Sequence, residues 1–146
     1  MSADNQLTRA QRDDLRTIAA MIVPASDEYK VPGADDPAIQ ADILTTLGRD
    51  TKLVAAALDH LARLAGQPFA ELDAARRDAV AQEFRSSGGG AAATLVLQCY
   101  YRDDRVLRSL GIELRAPFPK GYVLPDGDWS LLDPVKARAG TLRRAP

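Results

Sequence analysis

Sulfur and imidazole are nearly absent: the 146-residue chain holds one cysteine, Cys99, and one histidine, His60. A lone cysteine excludes an internal disulfide, a CxxCH haem attachment and any cysteine-rich zinc or iron–sulfur site. A lone histidine leaves metal ligation to carboxylates, and no loop clusters them at cation-binding spacing. An excess of one charge is lacking too. Nineteen Lys and Arg face twenty Asp and Glu, a net charge of -1, so the whole-molecule field draws neither nucleic acid nor an anionic membrane. The run Ala91 to Leu97, apolar but for Thr94, is too short to span a bilayer, and so is every other apolar run, so no transmembrane segment is expected. No basic and apolar leader precedes the first helix, and Arg76-Arg77 and Arg143-Arg144 are misplaced for a twin-arginine signal. As it stands the sequence predicts a cytoplasmic chain, or a periplasmic one if it is a processed form or is exported with a partner.

What is present suffices for one core, since 46% of the residues are hydrophobic. Charge is unevenly spread: ten basic and fourteen acidic residues up to Tyr101, nine basic and six acidic beyond it. Leu7-Thr8-Arg9-Ala10-Gln11 reads as staple residue, N-cap and capping-box glutamine, with Leu15, Ile18, Ala19 and Ile22 on one helical face up to Pro24. Asp36-Pro37 opens a second helix, Ala38 to Leu47, closed by Gly48. After Asp50, an apolar stripe of Leu53, Val54, Ala57, Leu58, Leu61, Leu64 and Ala65 runs to Gly66. Asp73 caps a fourth helix to about Phe84, of weak periodicity, and Ser86 to Gly90 reads as a flexible loop. Ala91 to Tyr101 is apolar on nearly all sides and predicts the most buried helix; Asp104 to Leu110 is a short one ending at Gly111.

No run of alternating β-branched residues and no internal repeat occurs, so the expected fold is all-α, a compact bundle of about five helices over residues 1–111. Residues 112–146 differ in character. Five of the nine prolines, Pro117, Pro119, Pro125, Pro134 and Pro146, break up long helix or central strand there. Phe118, Tyr122, Val123, Leu124, Trp129, Leu131 and Leu132 nevertheless need burial, which predicts an extended proline-rich C-terminal arm lying on its own body or on a partner.

Candidate chemistry is sparse. Gly88-Gly89-Gly90 before a helix offers backbone N–H groups to a phosphate, but no strand precedes it and no P-loop lysine follows, so a plain connection is the stronger reading. His60 has no nucleophile at helical spacing and reads as a boundary histidine packing its ring. Cys99 reads as a small core residue rather than a reactive thiol. The acid pairs Asp27-Glu28, Asp35-Asp36 and Asp103-Asp104 read as N-caps, and none makes an acid/base pair. The residues therefore point to a binding subunit, with no catalytic, cofactor or metal residue of its own.

Taken in order, "LTRAQRDDLRTIAAMIVPASDE", "VPGADD", "GQPFAELDAARRDAV", "QCYYRDDRVLRSLGIELRAPFPKGY" and "DWSLLDPVKAR" resemble the gluconate 2-dehydrogenase subunit 3 family over almost the whole chain. The resemblance implies a small subunit that carries no flavin. In that family FAD sits in a large glucose–methanol–choline-type subunit that oxidises CH–OH groups of sugars or alcohols, and a cytochrome c subunit commonly takes the electrons onward. The small subunit is thought to stabilise the large one and to assist its export, usually through a twin-arginine signal, which this sequence lacks. The resemblance also implies that the Pro24 to Pro37 connection is an ordered segment in contact with the partner. The expected partner interface is Pro24, Pro32, Phe118, Tyr122, Trp129 and Leu132, because buried aromatic groups concentrate interface energy. Two other classes stay open: an enzyme whose acid/base residues, for instance Asp36 and His60, meet only in the fold, and a stand-alone small-ligand-binding or self-assembling helical module.

Overall fold

Thr8 starts the first helix with a complete capping box: its Oγ1 accepts the Gln11 N–H at 3.2 Å and its own N–H donates to Gln11 Oε1 at 2.8 Å. In the computed structural model, which describes residues 6–114, 118–121 and 126–138, helix α1 then runs Arg9–Ile22. It is followed by α2 (Pro37–Thr46), α3 (Thr51–Ala65), α4 (Ala74–Ser87), α5 (Gly90–Tyr100), α6 (Asp104–Ser109) and the short α7 (Asp133–Ala137). Among the described residues no strand forms, and the all-α fold is a helical bundle. The chain divides into two units, Met1–Leu114 and Arg115–Pro146.

In the first unit the apolar faces legible in the sequence converge. Leu15, Ile18 and Ala19 of α1, Val54, Leu58 and Leu61 of α3, and Ala92, Leu95 and Val96 of α5 form one core with Ile39 and Ile43 of α2 and Phe69. Each fully buried Leu, Ile or Phe contributes roughly 1.5–3 kcal/mol relative to exposure. Helix α3 packs against α1, α4 and α5, and α2 packs against α5. Helix α4, of weak periodicity, buries only Val80 and Phe84. Asp36, Asp73 and Asp103 each cap the helix that follows, accepting N–H groups of its first turn.

Several expectations are corrected. Leu53 is not in the α3 stripe that meets the core: it is 62% exposed, because its position falls outside the arc that α1, α4 and α5 cover. Helix α5 is the central helix expected, packing against α1, α2 and α3, but its Thr94, Leu97 and Gln98 face outward. The Ser86 to Gly90 loop shrinks to Gly88-Gly89, because α4 continues to Ser87 and α5 begins at Gly90. A side chain on Gly89 would meet the Phe84 ring at 2.9 Å and the Phe84 carbonyl at 3.0 Å, so only glycine allows this sharp join.

The second unit carries a 3-10 turn, Trp129–Leu132, leading into α7. Pro134 stands in the first turn of α7, where its missing N–H has no intrahelical partner to lose. Part of the arm expected to be extended is therefore helical.

Candidate functional site

The segment between α1 and α2 is an ordered structure of its own. Ser26 and Val31 exchange both backbone hydrogen bonds, each 3.1 Å, closing a turn over Asp27, Glu28, Tyr29 and Lys30. Lys30 takes a left-handed conformation (φ 53°) and its N–H reaches the Asp27 carbonyl at 3.3 Å. The Tyr29 N–H donates to Ser26 Oγ at 3.3 Å. At the root of the turn the buried Ala34 donates to the Val23 carbonyl at 2.9 Å. A Cβ on Gly33 would stand 2.9 Å from the Ala25 nitrogen, so backbone approaches backbone too closely for any other residue. Asp27 and Glu28 cap no helix, which corrects the reading of that pair as an N-cap.

Arg105 of α6 fastens the end of this segment. Its guanidinium donates to both Asp36 oxygens, at 3.1 and 2.8 Å, and to both Asp103 oxygens, at 3.0 and 2.9 Å. One planar fork thus joins the N-caps of α2 and α6. Hydrogen bonds from Arg105 hold the Asp36 and Asp103 carboxyls below the usual carboxylate range. Arg102 makes a second tie, donating to Asp42 at 2.8 and 2.6 Å and to Thr46 Oγ1, all on α2. The stretches VPGADDP and CYYRDDR, 68 positions apart at their first residues, are therefore one constellation in space.

The candidate reactive groups are otherwise occupied. Asp36 serves Arg105 and two α2 amides, Ala38 and Ile39, while His60 Nε2 meets Ser87 Oγ at 2.8 Å, so the sequence-predicted pairing of Asp36 with His60 finds no hydrogen bond. The Ser87–His60 pair itself was invisible at helical spacing, because the two residues stand on neighbouring helices α3 and α4. The Ser87 hydroxyl is also within hydrogen-bond reach of the Glu83 carbonyl, to which it can donate at 2.7 Å, and which of Ser87 and His60 donates to the other depends on the imidazole tautomer. Burial pushes the Cys99 thiol pKa up, away from the reactive thiolate. Among the described residues no three His, Cys, Asp or Glu side chains converge as a metal site, and no helix is long and apolar enough to cross a membrane.

Two surfaces stand out. A groove of about 640 Å³ runs between α1, α4 and α5, with Ile18, Met21 and Phe84 among its apolar walls and Gln82 and Arg85 on its rim. It exists because α4 packs chiefly on α3. Large apolar groups are also exposed in the second unit: Phe118 at 86%, Trp129 at 71%, and with them Leu131, Leu132 and Val135. Of the other expected interface residues, Pro24 is exposed, Pro32 is half-buried, and Tyr122 lies outside the described residues. Tyr29, outside the expected interface, is 66% exposed at the tip of its turn; its signal in the sequence is a tyrosine inside the polar stretch Asp27 to Lys30. Comparison of the chain with family models, with curated proteins and with solved structures finds no match.

Proposed function

We propose that the chain is a partner-binding subunit, without a catalytic site of its own, of an FAD-dependent oxidoreductase acting on CH–OH groups of sugars or alcohols. The observation that carries the binding role is the set of exposed large apolar side chains in the second unit, Phe118, Trp129, Leu131, Leu132 and Val135. Large aromatic groups such as Phe118 and Trp129 are enriched at the centre of protein interfaces. The flavoprotein identity of the partner rests on the resemblance of the sequence segments quoted above, taken in their order along the chain, to the gluconate 2-dehydrogenase subunit 3 family. On this reading FAD belongs to the large subunit, a cytochrome c subunit shares the complex, and the present chain stabilises the large subunit during its maturation.

The test is to recover the tagged chain from its native host and record the absorbance of the eluate. A co-eluting chain of flavoprotein size, with flavin bands near roughly 370 and 450 nm from the cofactor's own absorption, supports the subunit role. A chain that elutes alone and colourless refutes it. The stand-alone ligand-binding module is the second reading, favoured by the groove between α1, α4 and α5, whose volume lies within the range of about 300–1,000 Å³ typical of small-molecule sites.

A further inference from the structure

Within the Val23–Asp36 segment the Ser26–Val31, Lys30–Asp27, Tyr29–Ser26 and Ala34–Val23 bonds hold one short turn in place, and the tip of that turn makes little use of its side chains within the domain. We propose that Tyr29, flanked by the carboxylates of Asp27 and Glu28, is an anchor of the helical domain on the partner subunit, entering an apolar pocket rimmed by lysine or arginine. The inference rests on the reading of the chain as a partner-binding subunit.

Three observations carry it. Tyr29 is an exposed aromatic ring on a backbone fixed by the mutual Ser26–Val31 bonds and by its own N–H on Ser26 Oγ. A fixed turn loses little conformational freedom on binding, and a tyrosine has only two side-chain torsions to freeze. Second, Asp27 and Glu28 are exposed and make no ion pair among the described residues. Lys30, the one cation in the turn, lessens their charge without cancelling it. A ring beside unpaired carboxylates is matched by an apolar pocket with a cationic rim, which steers encounter and fixes orientation. Third, the root of the turn is tied through Asp36 to Arg105, so a load at the tip is borne by α2 and α6 together. Leu53, the exposed apolar residue of α3, stands on a plain helix surface and serves as the control.

The experiment compares the full-length chain as wild type, Tyr29→Ala, Tyr29→Phe, Asp27→Asn/Glu28→Gln and Leu53→Ala, each recovered from the native host and then titrated against the purified flavoprotein. Tyr29→Ala is expected to weaken binding by about 30-fold, whereas Tyr29→Phe and Leu53→Ala each change it by less than about threefold. The double amide variant lowers the association rate and flattens its dependence on salt. Thermal melts of Tyr29→Ala match wild type, because the turn is held by backbone bonds and Ser26. If wild type recovers the flavoprotein and Tyr29→Ala binds it within about twofold of wild type, the anchor is refuted and the subunit reading stands. If Leu53→Ala weakens binding as much as Tyr29→Ala, the anchor is likewise refuted. If wild type recovers no flavoprotein, the subunit reading fails, and the anchor fails with it.

Discussion

The carboxylate of Asp14 on α1 accepts the backbone N–H of Phe69 at 3.1 Å, joining two residues 55 positions apart. Phe69 is fully buried and opens the 3-10 turn Phe69–Glu71. At the other end of that turn Arg77 donates to the carbonyls of Ala70, at 2.9 Å, and Leu72, at 2.7 Å. An acid and a base from two helices thus satisfy the polar ends of a turn whose aromatic side chain plugs the core. Asp14, only 6% exposed, is in this position for its acceptor oxygens.

Asp14→Ala is expected to destabilise the domain by about 1–3 kcal/mol, because it leaves the Phe69 N–H buried without a partner. Urea denaturation at neutral pH checks it.

Acid titration of the same site has a defined sign. Burial raises the Asp14 pKa despite the backbone N–H groups of Phe69 and Ala70, so the folded state holds the proton more tightly than the unfolded chain. Asp14 therefore adds stability as pH falls through its raised folded value. Asp14→Asn lacks that gain and is expected to lose stability more steeply than wild type between neutral pH and the ordinary carboxylate range. Parallel slopes in urea melts across that interval would refute the assignment.

Arg105→Ala is expected to cost about 1 kcal/mol, a modest figure because the guanidinium is partly exposed and solvent screens it. Arg105→Lys restores less than half of the loss, since an ammonium cannot fork onto both carboxylates. Asp36 and Asp103 have lowered folded pKa values, so their contribution is present above the ordinary carboxylate range and disappears as pH falls through those lowered values. The acid limb of the stability curve should be shallower in Arg105→Ala.

Neighbouring glycines should respond oppositely. Gly89→Ala forces a Cβ against the Phe84 ring and carbonyl and is expected to cost about 1–3 kcal/mol. Gly90 faces open space at the start of α5, so Gly90→Ala is expected to be neutral or to stabilise by up to about 1 kcal/mol. Thermal melts of the two variants decide.

Trp129→Ala is expected to weaken association with the flavoprotein by about 2 kcal/mol or more, with the melting temperature of the helical domain unchanged. Undiminished co-purification of that variant would remove Trp129 from the interface.

The capping box at Thr8, the N-caps Asp36, Asp73 and Asp103 and the closure of α3 at Gly66 were legible in the sequence, because each is a bond between residues two to four positions apart. So were the faces of α1 and most of α3, since a helical period requires no knowledge of the neighbour. What only the tertiary structure decided are bonds between distant residues: Asp14 with Phe69, Arg105 with Asp36, Arg102 with Asp42, His60 with Ser87. The same limit explains Leu53 and the outer face of α5, where periodicity marked an apolar side but not how wide an arc the packed helices would cover. Local hydrogen bonding is written in spacing, whereas burial and long-range pairing are fixed only when the helices choose their neighbours.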